Sequence, residues 1–198
     1  MDDEKQSEVI DWQLFQEFVN EFKGETDRAA VILGVAKLDS LLYQILKYYF
    51  VVTPSSSDEL LDGDSPLGTF SAKIYMMYRL GLIDASFARS LHIIRRIRND
   101  FAHEVSGSTI NSGSHKDRVK ELSIPFQSLT FFEYFKETFF KNDKSASTNF
   151  RVVLSILVAR LEAMLNKTNP LESKAWVLVT NSMKNYERPV KEVKQLEQ

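Results

Sequence analysis

The hexad Arg98-Asn99-Asp100-Phe101-Ala102-His103 gathers a permanent cation, an amide and a titratable imidazole, in a chain with only three histidines and no cysteine. Such a set suits phosphate chemistry without a metal. Guanidinium is a planar, always-charged clamp for phosphate oxygens, and imidazole exchanges protons near neutral pH. One imidazole can deprotonate a ribose 2′-hydroxyl or protonate a leaving oxygen while arginine stabilises the charge that builds on phosphorus. On that reading Arg98, Asn99 and His103 are the candidate catalytic residues. Arg95, Arg96 and His92 are candidate contacts to RNA phosphates, since Arg89, Arg95, Arg96 and Arg98 form the dense basic cluster of the sequence.

The hexad closes a helical pattern, and the pattern fixes which faces its residues share. At about 100° per residue, His92, Arg96, Asn99 and His103 fall in one narrow stripe. Leu91, Ile94, Ile97, Phe101 and Val105 occupy another sector, which should face the core. The same arithmetic sets Arg98 between Leu91 and Ile94, about 140° from His103. A cation there requires a carboxylate, a carbonyl or an anionic ligand, because an unpaired buried charge is costly. The residues also suit a structural role: Arg98 paired with an acid of another helix, Arg96 with Asp100, and His103 as a favourable cation at its helix end.

Stepping outward, the periodicity predicts about seven helices and an all-α, single-domain bundle. Trp12, Phe15, Val19 and Phe22 mark a helix over about 7–23, ending at Gly24. Ala30, Leu33, Leu38, Leu41, Leu42, Ile45 and Tyr49 mark a second over about 26–52, which Pro54 ends. A Ser/Asp-rich loop containing Asp62-Gly63-Asp64 leads to a third helix, opening at Pro66, covering about 67–80 and stopped by Gly81. Asp84 caps the fourth, which carries Phe87, Leu91 and the hexad. Residues 106–115 read as a flexible Ser/Gly loop and a candidate lid, with His115 solvated. The Phe-rich stretch within about 116–141 reads as a fifth helix with core-facing rings, after an interruption at Pro125. A sixth, capped by Ser147 or Thr148, reaches about Lys167, and a seventh covers about 171–186. Met76, Met77 and the tyrosines around them read as core. The expected domain is 1–198, with an ordered bundle over 5–187 and a charged tail over 188–198.

Composition agrees with this and narrows function. The chain of 198 residues is 43% hydrophobic and 26% charged, with 7 Gly and 5 Pro; these are globular values with few turns. A net charge of -2 and a pI near 6.0 give no global attraction to nucleic acid. Without cysteine there are no disulfides, thiolate nucleophiles or sulfur-ligated zinc sites. Asp62 and Asp64 lack a third ligand at EF-hand spacing and read as turn and cap residues rather than a metal site. There is no glycine-rich phosphate loop, nucleophile elbow or His-Glu metal motif, so neither metal nor cofactor is expected. Met1 to Glu8 is acidic and polar, the reverse of a secretory leader, and the apolar run Val152 to Leu165 is broken by Arg160 and Glu162. A cytoplasmic protein without a membrane span is expected.

Two resemblances attach to these residues. Arg98-Asn99-x-x-x-His103 is similar to the Arg, polar, then His motif of HEPN domains, helical bundles that include metal-independent endoribonucleases and toxins. In that group the motif lies in a cleft formed by a dimer. Leu60-Leu61-Asp62-Gly63-Asp64-Ser65-Pro66-Leu67-Gly68, continuing through Tyr78-Arg79-Leu80-Gly81-Leu82-Ile83, resembles the mannitol operon repressor (MtlR) family, with similarity from about residue 30 to 105. This second resemblance implies an all-helical transcriptional regulator. No helix-turn-helix with a basic recognition helix is evident, so regulation through a protein partner, by a homodimer, is expected in place of direct DNA reading.

Overall fold

The structure is a computed structural model that describes residues 12–103 and 108–173. Among them lie seven α-helices and no strand: α1 (Trp12–Lys23), α2 (Asp27–Tyr49), α3 (Phe70–Arg79), α4 (Ala85–His103), α5 (Gly113–Ser123), α6 (Thr130–Phe140) and α7 (Ala146–Lys167). The all-α bundle is as expected, but its seven helices are not the seven that periodicity marks. The Phe-rich stretch is two helices broken around Pro125, and 171–173 are not helical; the remainder of the helix expected over 171–186 lies outside the described residues, as does the tail over 188–198.

α7 is the central strut, packed against α1, α2, α5 and α6, while α2 joins it to α3 and α4. From Arg151 to Ala159 every residue of α7 is buried, which is the pattern of a helix apolar all round. Two of its charges are held by neighbours. Glu162 pairs with Lys37 at 2.8 Å, and the Arg160 guanidinium lies 4.9 Å from the centre of the Phe87 ring, a cation–π arrangement. α2 and α7 approach closely at Gly34, where an added Cβ would lie 2.4 Å from Leu154 Cδ2. By length and composition α2 could cross a membrane; Ala30, Val31, Val35, Leu38, Leu41, Leu42, Ile45 and Leu46 are instead buried in the bundle core.

Helix ends follow local chemistry, with some corrections. Asp84 does cap α4, accepting from Phe87 N at 2.8 Å. Gly81 ends α3 at φ +72, and the adjoining Leu82 N–H bonds back to Met77 O, an arrangement that glycine adopts without steric penalty. α3 begins later than Pro66 implies, because Thr69 is its cap and accepts from Ala72 N. α7 is capped by Ser145, which accepts from Thr148 N; Ser147 and Thr148 already sit inside the first turn. Phe15, Val19 and Phe22 are buried, and the expected aromatic core forms around Phe15 and Phe135, stacked with centroids 4.3 Å apart. The tyrosines of α3 depart from expectation: Met77 is buried, but Tyr75 is 59% and Tyr78 44% exposed.

The stretch Leu60 to Gly68 is a tightly bonded turn. Asp58 Oδ1 accepts from the N–H groups of Leu60 and Leu61. Asp62 accepts from Asp58 N at 2.8 Å and from the Tyr43 hydroxyl at 2.7 Å; these bonds, with Lys47 nearby, hold its carboxyl below the usual carboxylate range against a small opposing effect of burial. Ser65 Oγ donates to Leu60 O. Gly63 has φ +62, and a Cβ at Gly68 would lie 2.0 Å from Gly63 O. Both carboxylate oxygens of Asp62 are thus occupied by fold contacts, as a turn residue requires, and the described residues contain no cluster of three metal-ligating side chains.

Candidate functional site

The hexad is divided among three surroundings. Arg98 and Asn99 line a cleft of about 390 Å³ with Arg95 of α4, Ile32, Val35, Ala36 and Asp39 of α2, and Thr69, Phe70 and Ser71 at the start of α3. Asp100 and Phe101 turn toward α5, and His103 is exposed on the last residue of α4. His103 is not among the residues that line the cleft.

Arg98 is exposed, contrary to the core-facing position its helical phase implies. The reason lies in the length of its neighbour. The first residues of α3 face the second half of α4 across the cleft, so the two helices run antiparallel. α3 has 10 residues and α4 has 19, about 15 and 28 Å. Leu91 is fully buried, whereas Arg98, two turns later in the same sector, stands at the open cleft beside the start of α3. Among the described residues no acid of another helix pairs with Arg98; its Nη1 donates to Asn99 Oδ1 at 3.3 Å.

The anticipated pairing of Arg96 with Asp100 does not form. Asp100 accepts a short hydrogen bond from Arg118, and His115 Nδ1 lies 4.0 Å from the same carboxylate. His115 itself is buried in α5, its ring 4.8 Å from that of Phe101, so it is neither solvated nor part of an open loop. The segment expected to be flexible already turns helical at Gly113. Residues 104–107 of that segment lie outside the described residues. Arg89 pairs with Glu121 at 2.6 Å.

His92 stacks on Tyr75 at 4.8 Å. Burial foremost, and then the positive charges of Arg95 and Arg96, lower its pKa from the ordinary imidazole value, as desolvation and like charge both disfavour the cation. It is therefore neutral at neutral pH. On the cleft wall Asp39 is engaged by buried Lys73 at 2.9 Å, and Lys73 also donates to Gly68 O. The cleft's acid is thereby neutralised while Arg95 and Arg98 form no ion pair among the described residues, leaving an electropositive edge. Asp39, Thr69 and Phe70 were not evident as site residues from the sequence, because three separate segments meet here and none carries a motif of its own.

No family profile matches the sequence, and no curated protein matches it. Among solved structures, a chain of the X-ray structure of the MtlR-HPr complex from Escherichia coli aligns with 74% of this chain and 99% of its own length, at a TM-score of 0.52 and 18% identity. The fold is MtlR-like. At that identity the likeness is one of architecture, and it agrees with the resemblance carried by Leu60 to Gly68.

Proposed function

We propose that this chain is a cytoplasmic regulatory protein of the MtlR kind, acting on transcription through a protein partner and not by reading operator DNA directly. The observation that carries this reading is the shared fold with a protein solved in complex with HPr, over nearly all of that chain. The acidic balance of the sequence agrees with it, since no global field draws the molecule to DNA. The partner is a small soluble protein of the HPr type, and the regulator works as a homodimer. The test is co-purification and titration with HPr from the same cell. One-to-one binding supports the reading; no binding to HPr or any captured protein, together with tight, sequence-selective operator binding by the purified chain, overturns it.

A second reading is favoured by one observation: Arg98 and Asn99 stand bonded to each other on an open cleft while His103 is exposed a turn further on. In this reading a second copy supplies the missing imidazole, and Arg98, Asn99 and His103 cleave RNA without a metal, with Arg95, Arg96 and His92 contacting phosphates. Incubation with RNA in chelator is the test. Cleavage abolished by His103→Ala and by Arg98→Ala supports it, and cleavage that survives either change removes that residue from the mechanism.

A further inference from the structure

The geometry points to the cleft between α2, α3 and α4 as a binding site for a small phosphate monoester with a compact apolar body, a role independent of the regulatory reading above and an alternative to RNA as the occupant of the residues that the second reading uses. Three observations converge on it. Arg95 and Arg98 put two guanidinium groups on one edge of a concave space, and neither forms an ion pair among the described residues. Arg95 Nε is buried without a hydrogen-bond partner. An orphaned, desolvated charged donor costs stability, and the usual remedy is an oxyanion taken in bidentate fashion by the guanidinium fork. Apart from Asp39 and the Thr69 hydroxyl that caps α3, the polar groups of the lining are also donors: the Asn99 amide, the Ser71 hydroxyl, and the N–H groups of Phe70 and Ser71. The latter open a helix of 10 residues and so lack intrahelical acceptors.

Donor count and shape select among anions. Two guanidinium forks, an amide and helix-opening N–H groups offer more hydrogen bonds than the two oxygens of a carboxylate accept, whereas the three terminal oxygens of a dianionic phosphoryl group match them. The one acid in the lining, Asp39, is already neutralised by Lys73 at 2.9 Å, which removes the repulsion an unpaired carboxylate would exert. Opposite the arginines the wall is apolar, made by Ile32, Val35, Ala36 and Phe70. A volume of about 390 Å³ lies at the small end of ligand pockets. The expected ligand therefore has its phosphoryl group at Arg95 and Arg98 and a compact apolar face against Ile32 and Phe70.

The experiment is calorimetric titration of the full chain with phenyl phosphate, beside inorganic phosphate and phenol as separate arms. Saturable one-site binding of phenyl phosphate, weaker for inorganic phosphate and undetectable for phenol, is expected. Arg95→Met and Arg98→Met should each weaken it at least about tenfold, as the loss of a charge-assisted pair implies. Arg89→Met, the same charge change on the same helix but outside the cleft and paired with Glu121, should leave it within about twofold. Arg98 is exposed, so its substitution does not threaten the fold, and a thermal melt checks this. Shifts of the Phe70 and Ser71 amide resonances on titration locate the site independently. No saturable binding, equal weakening by Arg89→Met, or amide shifts elsewhere would each overturn the proposal, as would binding of an RNA oligonucleotide without binding of phenyl phosphate.

Discussion

Asp27→Asn should destabilise the bundle by about 3 kcal/mol at pH 7. Asp27 is the first residue of α2, and its carboxylate accepts from Thr109 Oγ1 at 3.1 Å, Ile110 N at 2.9 Å, Arg151 Nη1 at 3.1 Å and the Ser147 hydroxyl. It thereby ties the start of α2 to the segment before α5 and to α7. The Arg151 side chain is only 8% exposed. Removing one partner of a buried pair costs about 3–5 kcal/mol, mostly because the other charge is stranded. The low end applies here, since Arg151 keeps Glu25 O at 2.7 Å and Phe22 O at 3.3 Å. Asparagine preserves the shape but turns one acceptor into a donor facing donors. Urea unfolding followed by far-ultraviolet circular dichroism measures the loss, and a cycle with Arg151→Met isolates the pair, with a coupling of at least about 1.5 kcal/mol expected.

The pH dependence supplies a second check on the same residue. Burial favours the protonated form, but the bonds from Ser147, Ile110 and Arg151 outweigh it and hold the Asp27 carboxyl below its ordinary value of 3.8. A depressed folded-state value means that the contribution is complete above the unfolded value and is lost as pH falls through the folded one. The difference between wild type and Asp27→Asn should therefore shrink below about pH 4. A difference under about 1 kcal/mol at pH 7, or one that does not narrow in acid, would refute the view of Asp27 as a charged tie between helices.

Gly68→Ala should cost about 2 kcal/mol, because the added methyl meets the Gly63 carbonyl, a backbone group that cannot rotate aside; a melting temperature unchanged within error would show that the turn yields. Arg95→Met should raise the His92 pKa, read by NMR titration, since it removes one of two cations beside a partly buried imidazole; no upward movement would mean that burial alone sets it. In the wild type the unfolded chain takes up that proton first as pH falls through the ordinary imidazole range, so His92 lowers stability on the acid side.

Much of the scaffold was legible in the sequence because its cues are local. Asp84 before an apolar pattern and Gly81 after one act through bonds within a few residues, and both do in the folded chain. The Phe spacing around Phe132, Phe135 and Phe139 likewise placed those rings in the core. What stayed hidden depends on other elements. Residues 106–115 read as a loop by composition, yet His115 finds a ring and a carboxylate on α4 that anchor α5. Helical phase put Arg98 inside, but phase gives direction and not the length of the helix standing opposite. The cleft draws on Asp39, Phe70 and Arg95 together, a juxtaposition that exists only once three helices are packed.

Ile32 and Val35 face the cleft while Gly34 between them presses on Leu154 of α7. One helix thickness separates the space where a guest would sit from the centre of the bundle. Behind the back wall of that space the Leu154 side chain already fills the room beside Gly34, so a guest meets a packed wall. A bulkier side chain at position 34 would alter what fits in front as surely as what packs behind.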